Sequence, residues 1–274
     1  MQQMTTRDVQ LVCLDILKDV HDFCKKNNIR YSLSGGTLLG AIRHDGFIPW
    51  DDDVDIQIPL PDYDRFIKTY KSNSGFELFA YEKEGCKDVK IWYARVCDMK
   101  RTYVEQGPLP WLDRETGVWI DVLPVYGAPS TVDGYKIFYK KFYYYKKVTM
   151  WWRTGKANLS DYRWMNGVSK RVNFFIRHFI GKCLPNYVLK HFLSFLRKID
   201  YDSADYFCAS IHYGMGEWQP KKYMEKFELH KFEDREFFVM SAYDENLKCL
   251  YGDYMTLPPV EKRVVHTTHR YYWK

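Results

Sequence analysis

The chain of 274 residues carries 41 Lys and Arg against 35 Asp and Glu, which gives a formal net charge of +6. Because this charge is small and no uninterrupted basic block is present, the sequence argues against nucleic-acid binding and favours a smaller anionic partner. The seven cysteines are scattered without a CxxC pair. They therefore predict reduced thiols in a cytoplasmic protein and argue against a zinc site.

The first half of the chain alternates helical and strand-like patterns. Apolar residues recur at helical spacing between a capping Thr5 or Thr6 and Asn27-Asn28, which predicts a first helix. The elements predicted after it are, in chain order, a strand over 29–33, a helix over 37–43, a strand over 54–58, a helix opened by Pro61, and strands over 76–81, 89–96, 102–105 and 118–123.

This alternation indicates an α/β (α+β) fold around a mixed sheet. We predict three parts: a core over 1–130, a helical insertion rich in basic and aromatic residues over 131–200, and a C-terminal part over 201–274 that packs on the core. No repeat or low-complexity linker separates them, which favours one compact core with an insertion over two independent domains.

A pair of glycines and a run of acids carry the first chemical signal. Side chains alternate along a strand, so Asp53 and Asp55 are expected on one face, where Mg²⁺ would relieve their mutual repulsion. Gly35 and Gly36 stand before a helix, whose backbone N–H groups can bind a phosphate. An isolated acidic run is more often a solvated loop and paired glycines a tight turn. Their order along the chain nevertheless favours a metal–phosphate site.

Asp121 is a candidate for a third carboxylate at this site. It is the only charged residue in the apolar run over 118–123, and a lone charge in such a strand needs a partner. That partner is either a metal shared with the other two acids or a basic residue in a buried salt bridge.

Several segments closely resemble the signature of the LicD family. They are GTLLGAIRH at 36–44, GFIPWDDDVD at 46–55, IDVLP at 120–124 and LYGDYMTLPP at 250–259. The family includes bacterial phosphorylcholine transferases and, more distantly, fukutin-type ribitol-phosphate transferases. The resemblance implies a nucleotidyltransferase-like core and spans nearly the whole chain.

The resemblance also implies roles for individual residues. The metal ligands, for Mg²⁺ or Mn²⁺, would be Asp53, Asp55 and Asp121, with Asp51 as a fourth candidate. The candidates for substrate or phosphate contact, from position and resemblance together, are Ser34, Gly35, Gly36, Thr37, Arg43, His44, Trp50, Arg95 and Trp119. Arg43 and His44 have an alternative role, because basic residues at a helix C-terminus also stabilise the helix itself.

The implied activity is transfer of a phosphorylated alcohol, foremost phosphocholine from CDP-choline, to a hydroxyl of a cell-surface glycan or its lipid-linked precursor. In-line displacement would release a nucleoside monophosphate, with Asp121 taking the proton of the hydroxyl. Two alternatives remain open: transfer of a polyol phosphate from CDP-ribitol or CDP-glycerol, or nucleotidyl transfer from an NTP. A non-catalytic glycan- or choline-binding protein is a third reading, which three convergent carboxylates disfavour.

The segment 135–153 mixes lysines with aromatic residues. A helix of this composition packs its rings on a core, or it lies at an anionic membrane surface. The membrane alternative would place the protein at the inner face of the cytoplasmic membrane, near a lipid-linked acceptor. No apolar run is long enough to predict a transmembrane helix, and the polar N-terminus does not predict a signal peptide.

Overall fold

A computed structural model describes residues 1–107, 110–153, 172, 186–209, 214–263 and 269–274. The helices of this part of the chain are α1 (Thr6–Lys26), α2 (Gly35–His44), α3 (Leu60–Thr69), α4 (Val132–Arg153), α5 (Tyr187–Leu196) and α6 (Tyr243–Tyr251). Its strands are β1 (Gln2–Gln3), β2 (Ser32–Leu33), β3 (Asp55–Pro59), β4 (Glu77–Phe79), β5 (Ala94–Asp98), β6 (Thr102–Glu105), β7 (Val118–Ala128), β8 (Tyr206–Cys208), β9 (Gln219–Pro220), β10 (Phe227–Phe232), β11 (Arg235–Met240) and β12 (Arg270–Trp273).

A mixed sheet of strand order β2–β3–β7–β5–β4 organises the fold. Only β3 and β7 run parallel on this path, and the other neighbours are antiparallel. The second half of β7 also pairs with β8, which carries β9 at its edge. Helix α1 packs on β7 and β5 and α3 packs on β3 and β7. The predicted fold class, helices around a mixed sheet, is confirmed.

Helix α1 follows directly from local signals. The Asp8 N–H donates to Thr5 Oγ1 at 3.2 Å while the Thr5 N–H donates to the Asp8 carboxylate at 2.8 Å, so the two residues cap the helix reciprocally. The apolar stripe between Val9 and Cys24 is buried against the sheet. Asn28 then leaves the helix with φ 52°. The helix predicted from spacing and capping is confirmed.

The parallel pairing of β3 with β7 brings two acids side by side. Asp55 lies opposite Asp121 in the register of the two strands, and the Asp121 N–H donates to the Val54 carbonyl at 2.8 Å. On the other side of β7, Arg95 of β5 lies opposite the same Asp121. The strand order therefore places two carboxylates and one guanidinium in a single row across the sheet.

The C-terminal strands complete sheets that the first half begins. Strand β12 pairs with both β1 and β6, and β8 extends the pairing of β7. The β10–β11 hairpin lies against β2, where the Met240 N–H donates to Ser32 Oγ at 2.9 Å. These contacts show how the C-terminal residues pack, and the proposed boundaries at 130 and 200 remain predictions.

Helices α4 and α5 lie in the predicted insertion and pack on each other through aromatic rings. Phe138 stacks on Phe195 with ring centroids 4.8 Å apart, and Tyr145 stacks on Phe192 at 5.3 Å. Residues 154–171 and 173–185 of the insertion lie outside the described residues. Where the chain is described, none of its helices combines the length and the apolar character that crossing a membrane requires.

Three predicted strands are shorter in the structure. The strand expected over 76–81 is confined to β4 (Glu77–Phe79), and in the other two, contacts elsewhere take over backbone groups. The strand expected over 29–33 is confined to β2, since the Ile29 N–H caps the end of α1 by donating to the Cys24 carbonyl at 2.9 Å. The strand expected over 89–96 begins only at Ala94. There the Lys90 N–H donates to the Trp111 carbonyl at 2.8 Å, and the Lys90 ammonium pairs with Asp113.

Candidate active site

The two glycines at the start of α2 each have a steric reason to be glycine. Gly35 has φ +53°, in the left-handed region that a side chain disfavours. A Cβ on Gly36 would stand 2.7 Å from Asp51 Oδ2. The first turn of α2 therefore packs directly on the acidic loop, defined as residues 50–54, and its free backbone N–H groups lie beside those acids.

The backbone of Asp55 is held from two sides. Its N–H donates to Thr37 Oγ1 at 2.9 Å, and its carbonyl accepts from the Ser34 N–H at 3.0 Å. The acidic loop is held in turn by Gln10, whose side-chain N–H₂ donates to the Asp51 carbonyl at 2.7 Å. Three polar groups thus fix the geometry of the acids through their main chain.

The acids lie near one another, although the predicted placement of Asp53 and Asp55 on one face of a strand is wrong. Asp53 lies in the acidic loop, since β3 begins only at Asp55. Both side chains nevertheless line the same two cavities, and Asp121 joins them in one of these. The structure therefore brings together the three carboxylates that were proposed as metal ligands, with Asp51 adjacent to them.

Burial and mutual repulsion perturb these carboxyl groups. Burial, followed by the charges of Asp53 and Asp121, raises the pKa of Asp55 well above its ordinary value. Burial and the charge of Asp53 likewise raise the pKa of Asp51, and they raise the pKa of Asp52 to about 6. A divalent cation among these carboxylates would offset their mutual repulsion.

The donor set fits a hard divalent cation, because it consists of carboxylate oxygens beside helix N–H groups. Throughout the described ranges, no three His, Cys, Asp or Glu side chains are already gathered as in a formed metal site. The carboxylate of Asp121 is turned towards a base, since its two oxygens accept hydrogen bonds from Arg95 at 2.6 and 3.3 Å. Metal binding would therefore require a small reorientation of carboxylates.

Arg95 is the fixed partner of Asp121. Its guanidinium lies 4.2 Å from the ring centroid of Trp119 and 4.7 Å from that of Trp111, so aromatic faces hold it on two sides. Burial, the largest single effect, lowers the pKa of Arg95, but the charge and hydrogen bond of Asp121 together with the neighbouring Tyr93 leave the pKa above its ordinary value. The salt bridge that the sequence left open as an alternative for Asp121 is thus present beside the other acids.

Two clefts meet at Asp53 and Asp55. We call the first the acidic cleft; it has a volume of about 240 Å³ and is lined, among others, by Ser34, Gly35, Tyr93, Asp121, Phe207, Glu217, Gln219 and Asn246. We call the second the basic-rimmed cleft; it has a volume of about 420 Å³ and is lined, among others, by Gly36, Arg43, Trp50, Asp51, Tyr251, Asp253, Tyr254 and Lys262. The paired acids therefore have a separate binding space on either side.

The remaining predicted residues divide between the clefts and the layer behind them. Arg43 lines the basic-rimmed cleft, where it also donates to the Tyr254 carbonyl at 2.7 Å, and Trp50 lies beside it. His44 packs edge-on to Trp50 with ring centroids 6.4 Å apart. Thr37 and Trp119 support Asp55 and Arg95 respectively and do not line either cleft.

Several cleft residues were missed by reasoning from the sequence. Glu217, Gln219 and Asn246 come from the last third of the chain, where no local pattern marks them. Tyr251 and Lys262 line the other cleft from within or just beyond the motif over 250–259. The motif over 250–259 is part of the resemblance to the LicD signature, and this resemblance was the signal in the sequence that the segment lies at the site.

Known proteins resemble the chain over its whole length and over shorter segments. The family described as "LicD/FKTN/FKRP, nucleotidyltransferase domain" matches residues 28–154. The lipopolysaccharide cholinephosphotransferase LicD of Haemophilus influenzae is 32% identical over 274 residues, which covers 97% of either chain. An uncharacterized protein of Rickettsia prowazekii is 58% identical over 86 residues, 28% of this chain and 31% of its own.

A shorter match involves a human protein. The ribitol 5-phosphate transferase FKRP of Homo sapiens is 62% identical over 34 residues, which cover 12% of this chain and 7% of that protein. The similarity to LicD of Haemophilus influenzae extends from end to end, whereas this one is confined to a short block.

Proposed function

The chain belongs to the LicD family, as the resemblance of its motifs predicted. On this basis we propose that it transfers phosphocholine from CDP-choline to a glycan hydroxyl. The chain is a LicD-like phosphotransferase, and its activity is transfer of a phosphorylated alcohol to a glycan. The acceptor we propose is a cell-surface glycan or its lipid-linked precursor. The observation that carries the proposal is the meeting of two clefts at Asp53 and Asp55.

The residues around these acids can perform the parts of such a transfer. Asp53, Asp55 and Asp121 would hold Mg²⁺ or Mn²⁺, which when bound neutralises phosphate charge and favours the attacking hydroxyl. The N–H groups at Gly35 and Gly36 would donate to a phosphate oxygen, and Arg43 would contribute a guanidinium from the adjoining cleft.

The reaction forms one bond and breaks one. The acceptor hydroxyl oxygen attacks the phosphorus that bears choline, the bond to the phosphate of the nucleotide breaks, and CMP leaves. We assign the proton of the hydroxyl to Asp121, whose carboxylate Arg95 holds in place.

Titration calorimetry with CDP-choline, CDP-ribitol, CDP-glycerol, CTP and ATP, each in Mg²⁺ and in EDTA, tests the proposal. We expect CDP-choline to bind in Mg²⁺ with at least about tenfold preference over the other nucleotides, and to lose that binding in EDTA. A preference for CDP-ribitol would support the polyol alternative, which the short match to the ribitol 5-phosphate transferase favours. Absence of binding by every nucleotide would contradict both.

We further propose that α4 contacts the inner face of the cytoplasmic membrane. Its exposed side combines apolar or aromatic residues with lysines, namely Val132, Lys136, Ile137, Lys140, Lys141, Tyr143, Tyr144 and Lys147. Ile137 is 58% exposed and Tyr144 is 65% exposed. Lysines attract anionic lipid while the rings suit the interfacial layer, and a lipid-linked acceptor would lie at the same surface.

Charge reversal on this face should weaken vesicle binding. Each lysine near an anionic surface contributes about 1 kcal/mol, so Lys140→Glu with Lys141→Glu should lower the partition coefficient at least about tenfold. Co-sedimentation with vesicles of anionic and of zwitterionic lipid measures it. The matched control is Lys68→Glu with Lys71→Glu, two exposed lysines on another face. Equal binding by both double variants would contradict the contact.

A further inference from the structure

A turn outside both clefts contacts the segment that leads into the acidic loop. We call residues 45–49 the entry segment. Glu233, in the turn between β10 and β11, accepts the Phe47 N–H through Oε1 at 3.1 Å, and its own N–H donates to the Asp45 carbonyl at 2.7 Å. A Cβ on Gly46 would stand 2.5 Å from the same carboxylate oxygen, so the Glu233 side chain lies directly against this backbone. One residue of the hairpin thus contacts three consecutive residues of the entry segment.

Glu233 occupies a turn position that a side chain disfavours. It is the first of the two residues between Phe232 and Arg235, which pair in the register of the hairpin, and its φ is 60°. Two-residue hairpin turns with a positive φ at this position favour glycine, because the left-handed region disfavours a Cβ. The contacts of Glu233 offset this strain. A side chain held in such a conformation therefore indicates that its contacts have a role.

Helix α1 connects Glu233 to the acidic loop itself. The Arg7 guanidinium donates to the two oxygens of Glu233 at 2.6 and 3.2 Å, and it donates to Gln10 Oε1 at 3.1 Å. The amide nitrogen of Gln10 in turn donates to the carbonyls of Asp51, at 2.7 Å, and Ile48, at 3.5 Å. Because Gln10 is buried, water cannot readily take the place of its side chain. The planar guanidinium therefore orients the amide that holds the acidic loop.

The entry segment transmits these contacts to the acids over a short distance. Its Gly46 N–H donates to the Gly40 carbonyl of α2 at 3.4 Å, and the Asp51 N–H donates to the Ile48 carbonyl at 2.9 Å. Asp55, by contrast, is held by the pairing of β3 with β7. A shift of the entry segment would therefore displace the acidic loop relative to Asp55.

On the premise of the proposed function, we infer that Glu233 is a positioning residue for the metal site, which acts through Arg7 and Gln10 on the acidic loop. Glu233 itself lines neither cleft. Asp53 comes from the acidic loop whereas Asp55 comes from β3, so a cation shared by them depends on the relative position of loop and strand. Loss of a residue that supports metal ligands typically lowers metal affinity or activity about 10- to 100-fold.

The test uses the strain in the turn. Glu233→Gly removes the carboxylate contacts but relieves the left-handed backbone, so the two effects on stability oppose each other. Its melting temperature in EDTA should lie within about 3 °C of that of the wild type. We expect Mn²⁺ to bind the metal-free protein about tenfold more weakly by titration calorimetry, and kcat for transfer from CDP-choline to fall by a similar factor. The matched control is Asp234→Gly, because Asp234 is the other turn residue and pairs instead with Lys18 of the same helix at 2.6 Å.

Hydrogen exchange in EDTA gives a readout that is independent of activity and of the metal. Loss of a charged acceptor should raise the exchange rate of the Phe47 amide at least about tenfold in Glu233→Gly and leave it unchanged in Asp234→Gly. Glu233→Gln keeps an oxygen for the Phe47 N–H and should recover part of the Mn²⁺ affinity.

The outcomes separate this inference from the proposed function. If Glu233→Gly binds Mn²⁺ and transfers phosphocholine as Asp234→Gly does, the positioning role is overturned while the proposed function stands. If the wild type neither binds Mn²⁺ nor transfers phosphocholine, the proposed function itself fails, and this inference with it.

Discussion

Replacement of Asp55 with Asn is expected to stop phosphoalcohol transfer and, in EDTA, to raise the melting temperature of the protein. Asn keeps the size of the side chain and removes a charge that is shielded from water and faces Asp53 and Asp121. Loss of a residue that orients a metal ligand typically lowers activity about 10- to 100-fold, so loss of the ligand itself should lower it at least about 100-fold. Steady-state transfer assays measure this loss.

The stability effect has the opposite sign because the carboxylates repel one another without a cation. Relief of that repulsion by about 1 kcal/mol corresponds to a rise of about 2–4 °C in a chain of this size. Mg²⁺ should raise the melting temperature of the wild type and leave that of Asp55→Asn unchanged. Thermal unfolding in EDTA and in Mg²⁺ separates the two effects.

Asp64→Asn is the control for a carboxylate that stabilises the fold. Asp64 pairs with Arg197 at 2.7 Å, away from the clefts, so its loss should lower the melting temperature and leave transfer intact. Full activity in Asp55→Asn would remove the metal-site hypothesis. A lower melting temperature in EDTA would show instead that Asp55 stabilises the apo fold.

The parts of the site that were predictable from the sequence are those that local signals define. The cap at Thr5, the glycine pair at the start of α2 and the acids around β3 each lie within a few residues of the pattern that marks them. The strand over 89–96 was predicted too long because the apolar pattern around Lys90 gives no sign of its tertiary contacts. The Lys90 backbone and side chain contact Trp111 and Asp113, about twenty residues later. Local pattern does not include such contacts.

Register across the sheet is the part that the sequence could not supply. Asp121 was predicted to need a partner, but whether that partner is a metal or a base depends on which strands flank β7. The structure places Asp55 on one side and Arg95 on the other, so Asp121 lies between a second carboxylate and the base that pairs with it. Glu217 was missed for the same reason, since it reaches the cleft through tertiary packing of a short turn.

Changing Arg95 should show how much the site depends on the orientation of Asp121. Arg95→Lys keeps the charge but loses the planar fork that donates to both carboxylate oxygens, as well as the contact with the rings of Trp111 and Trp119. We expect kcat to fall about 10- to 100-fold with a smaller change in KM for the donor, because a supporting residue acts on ligand geometry.

Arg95→Met removes the charge altogether and leaves Asp121 without its partner. The side chains of Arg95 and Asp121 are 10% and 18% exposed, so the pair is largely shielded. Breaking a fully buried pair costs about 3–5 kcal/mol, and some exposure reduces the expected loss here to about 2–4 kcal/mol. Chemical denaturation in EDTA measures it.

Mg²⁺ distinguishes a positioning role from a purely structural one. A cation shared by Asp55 and Asp121 would replace part of the charge that Arg95→Met removes, so Mg²⁺ should recover part of the lost stability in that variant. Arg197→Met is the matched control, because its guanidinium pairs with Asp64 and Glu82 outside the clefts. Its loss of stability should be independent of Mg²⁺ and should leave transfer intact. Equal behaviour of the two variants would mean that Arg95 only stabilises the fold.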